Sequence, residues 1–141
     1  MTYEILTSSY FDSEVKRLAK RHRSLADDLE AFQGELLKNP YQGAEIAPGI
    51  RKIRMAIASK GRGHSGGARV ITLTYTISER AGEIILLLIY DKADASSVKV
   101  NVVKKIVKEL GFNLEALERA GQLKPVIPDC SVQNPKPESE S

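Results

Sequence analysis

The chain is 141 residues long, 42% hydrophobic, 28% charged and 6% aromatic, the composition of one soluble globular domain with room for a real core and none for a second full domain. Its 21 basic and 18 acidic residues leave a formal charge of only +3, yet no acidic residue falls between Glu45 and Glu79, where Arg51, Lys52, Arg54, Lys60, Arg62 and Arg69 add six positive charges and leave the rest of the chain at −3. A basic middle in an acidic frame predicts a local site for a polyanion and argues against a protein that is sticky all over.

The N-terminal residues show no basic stretch ahead of a long apolar one, so no secretory signal is expected. Tyr3 to Thr7 reads as a short strand. Ser9, with Asp12 three residues on, reads as the cap of an amphipathic helix with Phe11, Val15, Leu18, Ala19 and His22 on one side and Lys16, Arg17, Lys20 and Arg21 on the other. Ser24 and Asp27 repeat the start signal, and the stripe of Leu25, Leu29, Phe32 and Leu36 runs until Asn39-Pro40. Two successive helices predict an N-terminal hairpin. Tyr41 to Gly49 reads as a loop, because it holds two glycines and a proline.

From Arg51 the period becomes two. Ile53, Met55 and Ile57 face one way and Lys52, Arg54 and Ala56 the other, which predicts a half-buried strand with a cationic outer face. Ser59 to Gly67 is a glycine-rich connection, after which Ala68 to Ile77 alternates again, with Thr72, Thr74 and Thr76 opposite Ile71, Leu73 and Tyr75. Arg80-Ala81-Gly82 turns the chain into Ile84 to Tyr90, a run apolar on both faces and too short to span a membrane, as expected of a strand inside a covered sheet. These three strands predict an antiparallel meander. Ser96 or Ser97 can cap a helix reaching about Leu110, with Val98, Val102, Val103, Ile106, Val107 and Leu110 as its stripe, and Gly111 stops it. Asn113 to Ala120 allow a further short helix. In residues 124–141 Pro, Ser, Glu and Lys dominate, which predicts a disordered tail, and its lone Cys130 can form no internal bridge, as expected in the cytoplasm.

The loop Gly61-Arg62-Gly63-His64-Ser65-Gly66-Gly67 satisfies G-x-G-x-x-G, but a dinucleotide loop opens a helix and this one precedes a β-branched strand. Its glycines either let the loop approach a backbone closely, with Lys60, Arg62 and His64 projecting toward phosphates, or form a solvated hairpin. His22 and His64 are the only histidines and lie far apart, so neither a metal nor another cofactor is expected, and no nucleophile elbow is present. What remains is cationic chemistry. Lys52 and Arg54 lie on one strand face about 7 Å apart, a spacing suited to successive contacts with an RNA backbone. When a ribose 2′-hydroxyl attacks the adjacent phosphorus, fixed ammonium and guanidinium groups stabilise the charge that builds on the phosphoryl oxygens. Lys52, beside Arg51 and Arg54, is a candidate base, since neighbouring cations disfavour a lysine's charged form; the alternative is a basic face that only confers solubility. Arg69 shares parity with Ile71 and Leu73, which leaves its direction open between a bulge and the core edge. Tyr90 either stacks a base or sits in the core with its hydroxyl at the surface, while Lys92 is placed to meet a phosphate.

Together the two-helix start, Asn39-Pro40, Gly49-Ile-Arg-Lys-Ile-Arg54, Lys60-Gly-Arg-Gly-His-Ser-Gly-Gly-Ala-Arg69 and Ile89-Tyr-Asp-Lys92 resemble the RelE/HigB toxins of bacterial type II toxin–antitoxin systems, in particular the HigB-like branch with a K-G-x-G-x-x-G-G-x-R loop. The resemblance implies an α+β, RelE-like fold over residues 1–123, a small twisted and mainly antiparallel sheet with an N-terminal two-helix hairpin and a C-terminal helix. It implies a ribosome-dependent mRNA endoribonuclease that inhibits translation by cutting A-site mRNA without a metal. Lys52 and Arg54 match the family's basic strand pair, Arg69 its strand arginine and Lys92 its late basic position, with Arg51, Lys60, Arg62, His64 and Tyr90 as expected RNA contacts. The implied partners are the ribosome, mRNA, a cognate antitoxin of helix-turn-helix type, and operator DNA through the antitoxin complex only. Ala93 and Lys99 stand where the RelE branch has an arginine and a tyrosine. That keeps open an inactive relative that binds RNA or antitoxin, and the same superfamily includes ParE-like inhibitors of DNA gyrase that cut no RNA.

Overall fold

A computed structural model describes residues 2–60, 67–94 and 97–112. Alternation in the middle of the chain and helical spacing on either side produce an α+β fold. Its elements are β1 (Thr2–Thr7), α1 (Ser9–Ala19), α2 (Leu25–Lys38), β2 (Ala44–Ala47), β3 (Ile50–Met55), β4 (Ala68–Thr76), β5 (Ala81–Asp91) and α3 (Val100–Glu109), with a 3-10 turn at Ala58–Lys60 after β3.

The strands form one mixed sheet in the order β1-β5-β4-β3-β2. β1 runs parallel to β5, while β2, β3, β4 and β5 pair antiparallel in turn, so the expected meander is present. β2 corrects the reading of Tyr41 to Gly49 as a loop. It is only four residues long and lies between glycines, so local composition hid a strand that tertiary pairing with β3 supplies.

Both sheet faces are covered. Phe11 and Leu18 of α1 and Leu25, Leu29, Phe32 and Leu36 of α2 pack on Ile53, Met55, Val70, Ile84, Leu86 and Ile89. On the opposite face Val103, Ile106 and Val107 of α3 pack on Ile50, Ile71, Leu73, Ile85 and Leu87. Burial of each such side chain stabilises the fold by about 1.5–3 kcal/mol before entropy is counted. Coverage on both sides explains why the run Ile84 to Tyr90 within β5 is apolar on both faces. Val102 and Leu110, assigned to the buried stripe of α3, are instead exposed.

Two helix starts differ from expectation. The cap of α1 is Ser8, not Ser9: its Oγ accepts from Phe11 N at 3.0 Å and donates to Leu87 O at 2.7 Å, so one buried hydroxyl caps the helix and ties it to β5. α3 begins at Val100 with Lys99 before it and no side-chain cap, so Ser97 does not cap it, and Ser96 lies outside the described residues. Ser24 precedes α2 as expected, but its Oγ donates to Asp28 Oδ2 at 2.7 Å and makes no bond to the helix backbone. Asp28 in turn accepts from Ala58 N, which fixes the turn after β3 to the helix. The proposed helix at Asn113–Ala120 and the tail at 124–141 lie outside the described residues.

β5 departs from regular pairing at one place that sets the site. Thr72 pairs with Leu86 and Ile71 with Leu88, so Leu87 has no partner in the register and β5 bulges there. Beyond the bulge the faces exchange. Tyr90 comes to lie opposite Arg69, and Asp91 opposite Ala68 on the face covered by α1 and α2.

Candidate functional site

Period two places Lys52 and Arg54 of β3 together, opposite Ile53 and Met55, as the sequence predicts, and the structure adds that theirs is the α3 face of the sheet. In the register Arg54 stands opposite Arg69 of β4, and Arg69 opposite Tyr90 of β5. The direction of Arg69 is thereby settled without a bulge in β4. It does share a face with Ile71 and Leu73, but that face is apolar only where α3 covers it and cationic beyond. Lys92 follows β5, and its N–H donates to Gly67 O at 3.0 Å. A side chain on Gly67 would meet Met55 O at 2.1 Å, so the ends of β3, β4 and β5 are drawn together at a position open only to glycine.

The result is an open cleft of about 490 Å³ lined by Lys52, Arg54, Arg69 and Lys92, with Gln42, Gly43 and Ala44 forming one side. No acidic side chain is among the described residues that line it. Arg69 is only 6% exposed, and its Nη1 donates to Ala68 O at 3.2 Å. A guanidinium so placed is a rigid donor with little rotamer freedom left to lose. Like charges opposite each other on adjacent strands destabilise a sheet. The Arg54–Arg69 pair is an exception to that rule, and with Lys52 and Lys92 beside it the cleft has the charge to meet an anion.

Tyr90 is not a stacking platform. It is 6% exposed, and its hydroxyl is buried with no hydrogen-bond partner among the described residues. Burial pushes its ionisation upward, with Arg69 acting weakly in the opposite direction. The expectation of a surface hydroxyl fails because the bulge in β5 directs the ring into the α3-side core beside Arg69.

Arg51 also lies elsewhere. Alternation directs it away from the cleft, its guanidinium sits 5.3 Å from the centroid of the Tyr41 ring, and it reaches Glu45 at 3.8 Å. The cations that line the cleft with Lys52 are therefore Arg54, Arg69 and Lys92, not Arg51. The backbone of Lys60 ends the turn after β3, whereas its side chain, Arg62 and His64 lie outside the described residues.

A polar cluster behind the cleft was not foreseen. His22, expected on a helix face, lies in the connection after α1, and its Nε2 is 2.8 Å from Asp91 Oδ2. Asp91 is fully buried and also accepts from Ala93 N at 2.9 Å. Arg21 bridges Asp91 at 3.4 Å and Asp94 at 2.7 Å, and its hydrogen bond holds the Asp94 carboxyl below the usual carboxylate range. These contacts fix the turn through which Lys92 enters the cleft. The sequence did carry a signal for them: one aspartate directly after the apolar run Ile84 to Tyr90 must find a donor when buried.

Among the described residues no group of three or more His, Cys, Asp or Glu side chains is arranged to hold a metal ion. No helix among them is long and apolar enough to cross a membrane. No family model matches the chain.

Proposed function

We propose that the protein is a RelE-like toxin of a type II toxin–antitoxin system, a ribosome-dependent mRNA endoribonuclease of the cytoplasm held in check by a cognate antitoxin. The observation that carries this reading is the convergence of Lys52, Arg54, Arg69 and Lys92, from two strands and the end of a third, on one cleft without an acidic side chain among its described lining residues. A face that served only solubility has no need to oppose two arginines across a strand pair.

In this reading the scissile phosphate sits between Arg54 and Arg69. The ribose 2′-oxygen forms a bond to phosphorus as the bond from phosphorus to the 5′-oxygen of the next nucleotide breaks, leaving a 2′,3′-cyclic phosphate and a free 5′-hydroxyl. Lys52 accepts the 2′-proton, or stabilises the attacking oxygen while water accepts that proton, and the departing 5′-oxygen takes up a proton from water. The guanidinium groups stabilise the charge on the equatorial phosphoryl oxygens. Removing one such donor is expected to slow cleavage by about 100- to 1,000-fold.

The test is primer extension on a reporter mRNA in reconstituted translation, with wild-type protein and Lys52→Ala, with and without ribosomes. Cuts at A-site codons that need ribosomes and vanish in a folded Lys52→Ala protein are the expected result. Undiminished cuts in the variant would remove Lys52 from the mechanism. The lack of any cuts with the wild type would replace this reading with a non-cleaving one, and a DNA gyrase supercoiling assay would follow.

A further inference from the structure

The cationic cleft has a neighbour of opposite character. A second cavity, about 340 Å³ in volume, lies between α2 and the end of β3, and shares Arg54 and Gln42 with the cleft. It is near the lower limit for small-ligand pockets, roughly 300 Å³, and so suits one ring system better than a whole nucleotide. Its floor is apolar, from Ala31, Phe32, Met55 and Ala56, and its rim carries Asp28 and Glu35. β2 pairs with β3 only as far as Lys52, which leaves the cavity open at this sheet edge.

The two carboxylates differ. Asp28 is occupied, accepting from Ser24 Oγ and Ala58 N. Glu35 is exposed, and its only ion pair among the described residues is a 3.8 Å contact to the equally exposed Lys38, which solvent screens. Gln42 Nε2 donates to the backbone carbonyls of Glu35 and Asn39, which fixes its amide at the junction of the two cavities.

We propose that this cavity is a base-recognition subsite for a guanine adjoining the phosphate held in the cationic cleft. The inference rests on the reading of that cleft as an RNA site. A flat ring lies on the apolar floor, and the Glu35 carboxylate accepts from it at the rim. Guanine alone among the RNA bases presents two adjacent donors, N1–H and the N2 amino group, on one edge, and so matches the two oxygens of a carboxylate. The shared Arg54 spans from the phosphate to the base.

The experiment is a nuclear magnetic resonance titration of the full chain with guanosine 5′-monophosphate, cytidine 5′-monophosphate and ribose 5-phosphate, repeated on Glu35→Gln. Expected are shifts at Lys52, Arg54 and Arg69 with all three ligands, and at Ala31, Phe32 and Ala56 with the guanine nucleotide alone. Glu35→Gln, at an exposed position, weakens the guanine nucleotide about tenfold relative to ribose 5-phosphate, the size of a bidentate base contact. Shifts confined to the cleft, or equal shifts at Ala31 and Ala56 with both nucleotides, overturn the subsite and leave the cleft reading standing. Silence at the cleft with every ligand overturns both.

Discussion

Arg54 and Arg69 face each other across β3 and β4, an arrangement that the repulsion of like charges opposes. Arg69 was legible as a cation near the site, but its direction was not, because parity alone cannot say where along a strand the covering helix ends. Tyr90 shows the same limit: a strand-end tyrosine reads as half-exposed until the bulge at Leu87 is known. Gly67 is the residue on which the site's geometry can be tested most directly. A Cβ there meets backbone, Met55 O at 2.1 Å, and no flexible side chain can move aside. Gly67→Ala is expected to lower stability by about 1–3 kcal/mol, read from the urea midpoint. Because Gly67 O holds Lys92 N, RNA affinity should fall as well, and a wild-type midpoint would show that the strand ends are not locked together.

At the scale of elements, the apolar stripes of α1 and α2 and the alternation of β3 and β4 were readable because each repeats over several turns or pairs. What escaped was decided by single contacts. β2 exists by pairing with β3, and α1 starts at Ser8 because that hydroxyl also reaches Leu87 O. β1, an edge strand, is held in part by Tyr3, whose hydroxyl bonds Tyr41 at 2.8 Å and whose ring fills the space left by Gly82. Burial first, and then the bond to Tyr41, pushes the Tyr3 ionisation from 10.0 up to about 12. The folded state thus favours the neutral phenol. Its contribution is whole below pH 10 and is lost as the pH rises through about 12. Tyr75, raised by burial and its bond to Glu83, acts in the same direction. Tyr3→Phe should therefore flatten the decline of stability across this window, measured by urea unfolding at several alkaline pH values; an unchanged decline would exclude Tyr3 as a source.

At the scale of the whole molecule, one sheet face is divided lengthwise between an apolar half under α3 and a cationic half that forms the cleft. The sequence showed the charge block but not this division, since Lys52 and Ile50 share a face and differ only in what lies above them. A single-stranded RNA that neutralises all four cleft cations should bind with a log–log salt slope of about −3, and Arg54→Ala should make it shallower by about 0.7. Fluorescence anisotropy of a short labelled RNA over a range of salt measures both. An unaltered slope in Arg54→Ala would take that side chain out of the phosphate path.

The bulge in β5 has a consequence for how such a strand encodes its faces. In an unbroken two-residue rhythm, Asp91 would share a face with Ile85 and Leu87, its carboxylate would lie among the cations, and Tyr90 would point to the other layer. The unpaired Leu87 acts as a phase slip in a binary code: every position after it is read with inverted sign. The acidic residue is thereby delivered to His22, and the cleft keeps its single polarity. The charge of the site is thus written partly in the count of residues along one strand, and not only in their identity.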